Sequence, residues 1–305
     1  MQASHIPAQD ESSNLTFAIS TTDVAAVTDE QFLSFSFGAE LMGHRTGSFF
    51  TSERVAALLA GLAPAYFGFS GTAIDSMLWA EHADCDNTNS SAMCINATQL
   101  TGLLRSTSVA GLDLVLGLNG KVGKSAESPN APWDDLNAKT QLAWLDKALA
   151  VDPTLRAPYG YELGNEPDLW PWTTMTPAGK THVVNGSQLA NDASALRSLV
   201  GLYATLRPDN FTIFGPDTCN CYNGDVVLHE YAGSNAIPLE LHRYTWHFYN
   251  QGGPKSAFDM TSVAKADTLL AKINQAFTDV RTPRAHTHGT AVHVDPPVGV
   301  HCLRR

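Results

Sequence analysis

Tyr161-Glu162-Leu163-Gly164-Asn165-Glu166-Pro167 is the stretch of this sequence best suited to chemistry. An apolar run ending in Asn-Glu-Pro delivers a carboxyl group to the end of a strand, where Pro167 stops the ladder and turns the chain. In a parallel barrel that end is the C-terminal mouth, where reacting groups collect. A carboxylic acid beside an amide suits cleavage of a glycosidic bond. Glu166 would protonate the leaving oxygen and Asn165 would hold the sugar 2-hydroxyl. The plainer role is a strand-terminal glutamate that caps the next helix.

The elements that must position these residues alternate regularly. Residues 32–37 (FLSFSF), 65–69 (AYFGF), 112–118 (LDLVLGL), 158–163 (PYGYEL), 211–215 (FTIFG) and 242–249 (HRYTWHFY) are short and rich in aromatic or branched residues, which predicts strands. Helical spacing predicts helices between them. Ser52 precedes one over 54–62, with Glu53 in its first turn; a second spans 137–150 with Leu142, Leu145 and Leu149 on one face. Ser187 is expected to N-cap a third over 187–206, and a fourth covers 259–279. The repeating order predicts an α/β fold, an incomplete (β/α)8 TIM barrel with strands one to six present. A doubly wound open sheet competes, but no Gly-rich phosphate loop follows the first strand.

Charge and composition exclude several classes. A net charge of −11 and scattered Lys and Arg argue against nucleic acid as a partner. No apolar run reaches the roughly 20 residues of a transmembrane segment. The opening MQASHIPAQDESSN shows no signal-peptide pattern, while sequons at Asn14, Asn89, Asn96, Asn185 and Asn210 favour a secretory history. Cys85 and Cys94 bracket a polar loop and can form a small disulfide; the alternative is five free thiols, with Cys219, Cys221 and Cys302. The last 22 residues, with His286, His288, His293 and Cys302, fit no established metal spacing, so no metal or cofactor is expected.

In order and spacing, FLSFSF, GLAPAYFGFSGT, GLDLVLGLN, YELGNEPDLW, VNGSQLANDASALRSL, IFGPD and TWHFY resemble glycoside hydrolase family 79, the heparanase type. The resemblance runs from about residue 31 to residue 283. It implies a barrel with a small β-sandwich and a retaining endo-β-glucuronidase mechanism on glycosaminoglycan-like chains. It makes Glu166 the proton donor and Asn165 its neighbour in substrate binding, and it assigns substrate contacts to Thr72, His247 and Tyr249. Departures accompany it. Arg-Phe-Gly-Gly-Thr becomes Gly68-Phe69-Ser70-Gly71-Thr72, an aspartate of the first strand becomes Gly38, and a Gln and Arg become Asn220 and Tyr222. Family members carry the nucleophile as a glutamate on the seventh strand, and residues 241–305 contain no glutamate.

The expected organisation is therefore a segment 1–30 with a lone strand at 15–20, a partial barrel over 31–283 and an aberrant, unstructured tail over 284–305. The C-terminal β-sandwich is expected to be missing. The expected partner is a heparan sulfate-like or other glucuronide polysaccharide, outside the cell or in the lysosome, with activity impaired. Two other readings stay open: an inactive carbohydrate-binding or interaction protein, and a non-functional truncated isoform.

Overall fold

The computed structural model describes residues 30–31, 33–42, 49–79, 93–170, 184–206, 211–219, 224–234, 236, 242–247, 271 and 278. Thirteen strands and helices follow one another in chain order. They are β1 (Phe35–Gly38), α1 (Glu53–Ala60), β2 (Tyr66–Ser70), β3 (Met77–Trp79), β4 (Met93–Ile95), α2 (Ala97–Ala110), β5 (Asp113–Leu118), α3 (Leu136–Val151), β6 (Gly160–Leu163), α4 (Gly186–Val200), β7 (Thr212–Thr218), α5 (Gly224–Gly233) and β8 (His242–Trp246). Six strands form one curled, wholly parallel sheet in the order β1-β2-β5-β6-β7-β8. Each strand of that sheet pairs with the next one of the sheet in the chain, always on the same side. A doubly wound sheet reverses its direction at a switch point, whereas a barrel arc does not. The order therefore decides for a half-barrel.

Strand alternation explains the two faces of the arc. Phe35 pairs in register with Phe67, and Phe37 with Phe69. Their rings meet on the helix side, with Phe35 to Phe67 at 5.3 Å, Phe37 to Phe67 at 5.5 Å and Phe50 to Phe69 at 5.8 Å. Side chains in register on the other face are small: Gly38 opposite Ser70, then Gly117. A Cβ on Gly117 would come within 2.6 Å of the Phe69 carbonyl, so only glycine lets the strands approach there.

Helix boundaries follow from caps. Asn96 and Gln99 form a reciprocal capping box at the start of α2, and Gly111 closes the helix at φ 75°. The cap of α4 is Asn185, whose side chain accepts from the Ser187 and Gln188 amides, so the expected Ser187 cap lies two residues too far in. Two of the five sequon asparagines thus have a structural reason to be where they are. Ser52 caps α1 through its backbone carbonyl, which accepts from the Ala56 amide at 3.1 Å. Leu142 and Leu145 of α3 and Leu189, Ala193, Leu196 and Val200 of α4 are buried, as their spacing predicts.

The strand at 32–37 starts later, at Phe35, and the small β3–β4 sheet and helices α2 and α5 add to the expected elements. Cys94 and Cys219 are each in a disulfide, which removes the reading of five free thiols, while Cys85, Cys221 and Cys302 lie outside the described residues. The expected strand at 15–20 and the tail at 284–305 lie outside the described residues, as does 259–279 except for residues 271 and 278. No helix among the described residues is long and apolar enough to cross a membrane.

One buried ion pair ties the loop after β5 to α4. Lys124 Nζ stands 2.7 Å from Asp192 Oδ2, with side chains only 1% and 4% exposed, and also donates to the Ala131 carbonyl. Asp192 Oδ1 accepts from the Trp133 amide at 3.0 Å and from Gln188 at 2.8 Å.

Candidate active site

The C-terminal ends of β6, β7 and β8 converge on one polar cluster. Strand β6 places Tyr161 toward the helices, so alternation turns Glu162 into the arc. Gly164 then turns the chain at φ 78°, where a Cβ would stand 3.2 Å from the Trp170 ring. Glu166 follows in the left-handed region at φ 45°, directly before Pro167. Among the described residues only Asp217, at φ 55° on β7, shares that conformation without being glycine. The Glu166 amide donates to the Asp217 carbonyl at 2.9 Å, so each strained residue holds the other.

The Glu166 carboxyl sits 2.6 Å from His247 Nδ1, and the other ring nitrogen, Nε2, sits 2.9 Å from Asp217 Oδ1. His247 follows β8, and its amide donates to the Thr218 carbonyl at 2.6 Å. Burial alone would discharge this imidazole, but the charges of Asp217 and Glu166 outweigh it and raise the histidine to about 11. Glu162 is fully buried, and burial followed by the nearby Asp217 charge pushes its carboxyl well above the usual range. It accepts from Thr245 at 3.0 Å, and Ser70 bonds it as well.

Asp75 supports the cluster from below. It lies in the 3-10 helix Thr72–Ser76 after β2 and accepts from the Gly120 amide at 3.1 Å, the Asn165 amide at 3.1 Å and Trp170 Nε1 at 2.8 Å. Burial outweighs these bonds and raises its carboxyl to about 7. Asp168, in the turn after Glu166, accepts from the Cys219 amide at 2.8 Å and links that turn to β7.

Asn165 is 2% exposed, and neither its side-chain oxygen nor its nitrogen has a hydrogen-bond partner among the described residues. An amide in that condition costs free energy until something polar reaches it. Thr72 lies exposed at the end of β2, two strands away in the sheet from β6. Tyr249, Asn220 and Tyr222 lie outside the described residues. At Gly38 the carboxylate of Glu40 fills the space that a side chain would occupy, so a carboxylate does stand at that strand end. No cluster of metal-ligand type occurs among the described residues.

Sequence reasoning overlooked Asp75 and Asp217 and treated Glu162 only as a letter of the motif. A charged residue between Tyr161 and Leu163 in an apolar strand was a usable signal, because alternation must turn it inward. Asp217 carried no such signal: its importance comes from a left-handed backbone that the sequence Gly215-Pro216-Asp217 does not announce.

The half-barrel arc thus carries a carboxyl group and a buried amide at its C-terminal mouth. By sequence the chain is heparanase-like. It is 24% identical over 304 residues to mouse heparanase, matching 84% of this chain and 50% of that protein. The chain thus spans about half the length of this curated relative. No family model matches it. Similar solved structures include a 4-O-α-L-rhamnosyl-β-D-glucuronidase from Fusarium oxysporum, with 13% identity, TM-score 0.48 and coverage of 84% of this chain and 53% of that one. A family 51 α-L-arabinofuranosidase from Bifidobacterium longum has 13% identity, TM-score 0.47 and coverage of 84% and 52%.

Proposed function

We propose that this chain carries the acid-bearing part of a retaining glycoside hydrolase of the endo-β-glucuronidase type, acting on glucuronide polysaccharides. Glu166 is the proton donor, Asn165 binds the hydroxyl next to the cleaved bond, and Thr72 and Tyr249 line the sugar path. The observation that carries the reading is the buried, unpaired Asn165 amide beside Glu166. A sugar hydroxyl offers both the donor and the acceptor that this amide lacks. The similarity to mouse heparanase supports the substrate class.

A retaining mechanism needs a second carboxylate about 5–5.5 Å from the acid. Residues 241–305 offer no glutamate for that role, so turnover by the 305-residue chain is expected to be impaired. That composition, together with a Glu166 already paired to His247, also favours a second reading, glucuronide binding without hydrolysis.

Calorimetry and turnover with an aryl β-D-glucuronide test both. Binding is expected, weakened about tenfold or more by Asn165→Ala, since an unmatched polar contact is worth on the order of 1.4 kcal/mol. Turnover is expected only in a form with a glutamate-bearing strand added beyond residue 283, and is expected to fall about 10²–10⁴-fold on Glu166→Gln. Equal binding by the parent and Asn165→Ala would remove the site reading. Robust hydrolysis by the 305-residue chain would show that another group serves as nucleophile.

A further inference from the structure

We propose that His247 stores the proton that Glu166 delivers, and that Asp217 is a positioning residue that keeps the imidazole in the tautomer allowing the transfer. The proposal rests on the reading of Glu166 as the acid and adds the source of its proton.

Two carboxylate oxygens face the two nitrogens of one ring, at 2.6 Å and 2.9 Å. A neutral imidazole carries a single N–H and can satisfy only one of them, whereas an imidazolium satisfies both. Asp217 is 1% exposed, and His247 supplies the cation facing its carboxylate, which has no hydrogen-bond partner of its own among the described residues. Among the described residues, the titratable groups facing the ring are Glu166 after β6, Asp217 on β7 and Glu162 on β6, with Thr245 of β8 bonded to the last. Glu162 donates nothing to the ring and bonds Thr245 and Ser70 instead, so the two ring nitrogens face Glu166 and Asp217.

Chemistry follows from the geometry. A proton moving from Nδ1 to Glu166 Oε1 crosses a contact of 2.6 Å. It leaves a neutral carboxylic acid on Glu166 and a neutral imidazole that keeps its proton on Nε2, 2.9 Å from Asp217 Oδ1. The Glu166–His247 ion pair is replaced by two neutral groups, and Asp217 keeps its charge beside the neutral ring, which draws the proton back onto His247 once Glu166 has been recharged. Without the Asp217 carboxylate the ring loses one of the two charges that hold it as an imidazolium, and a neutral ring with its one proton on Nδ1 has none to give Glu166 without becoming an anion. The paired left-handed residues hold this alignment: Glu166 and Asp217 are tied by a backbone hydrogen bond, and His247 is tied to Thr218 next to Asp217.

The test reads the ring directly, by two-bond ¹H–¹⁵N spectra of the labelled chain across pH 5–10, without substrate. His247 is expected to remain doubly protonated at pH 8, where an ordinary histidine is neutral. In Asp217→Asn it is expected to titrate at least one pH unit lower and to change tautomer, with the amide spectrum otherwise kept; Asp217→Glu is expected to restore part of the parent behaviour. A parent His247 that titrates near the ordinary value would overturn the proposal, and so would an Asp217→Asn ring that titrates as the parent does. Should Asp217→Asn not fold, the parent titration and the Asp217→Glu ring decide alone. In the turnover-competent form, Asp217→Asn is expected to move the alkaline limb of the kcat/KM profile to lower pH with KM within twofold. Absence of any glucuronide binding, with the imidazolium observed, would instead sink the function reading and leave the ring assignment standing.

Discussion

The two flanks of the arc are built on opposite terms. At β1 and β2 the helix side is a stack of phenylalanines and the inner side is almost bare, with Gly38, Ser70 and then Gly117 in register. At β6 to β8 the inner side carries Glu162, Thr245 and His247, and the backbone is forced left-handed twice. One flank is held by apolar area and relaxed geometry, the other by charges that compensate one another within a buried space. The difference teaches that stability and chemistry are supplied by separate strands here, so the two should respond to different substitutions.

The largest effect is expected where packing dominates. Phe67 is fully buried in the aromatic stack, and Phe67→Ala should destabilise the fold by about 3–5 kcal/mol in chemical denaturation. It should leave the His247 ring titration unchanged; a shifted titration would show that the flanks are coupled. Asp75→Ala is expected next, at about 3 kcal/mol, because three buried donors lose their acceptor at once. Unlike the first change it should also weaken glucuronide binding, since the Asn165 backbone is released.

The pH dependence separates the flanks again. His247 is raised from 6.5 to about 11, so its contribution is complete below about 6.5 and is lost as pH rises through about 11. Stability measured by denaturation is expected to fall over that window, with a slope from this group of at most about 1.4 kcal/mol per pH unit. Asp217→Asn should flatten the slope, and an unchanged slope would break the assignment. The smallest effects mark the limits of the comparison. Asn96→Ala should cost about 1 kcal/mol through loss of a helix cap. Asn165→Ala should cost nothing or stabilise slightly while impairing sugar binding, the signature of a residue kept for a ligand rather than for the fold.

Much of this was readable from sequence, for reasons that differ by element. The strands announced themselves because FLSFSF, AYFGF and LDLVLGL are too short and too rich in aromatic or branched residues for helices. The place of Glu166 just past a strand end was readable because Asn-Glu-Pro ends an apolar run. Helix α2 was not, although Leu100, Leu103, Leu104 and Thr107 keep a helical period, because its Ser and Thr content resembles a loop. The carboxylate pair around His247 was not readable either: it needs three strand ends to meet, and the register that joins Glu162 to Phe214 and Phe214 to Arg243 exists only in the sheet.

The buried pair of Lys124 and Asp192 has a consequence for how the site meets ionic solutions. Charges on a protein surface fade as salt rises, over a screening distance of about 10 Å at 0.1 M, but a pair sealed from solvent keeps its attraction. The loop that brings the Gly120 amide to Asp75, beside Asn165, is therefore fastened by a clasp that salt does not loosen. For the anionic polysaccharide proposed above, added electrolyte should ease approach to a chain of net charge −11 while leaving the shape of the mouth intact, so ionic strength would act on arrival and not on fit.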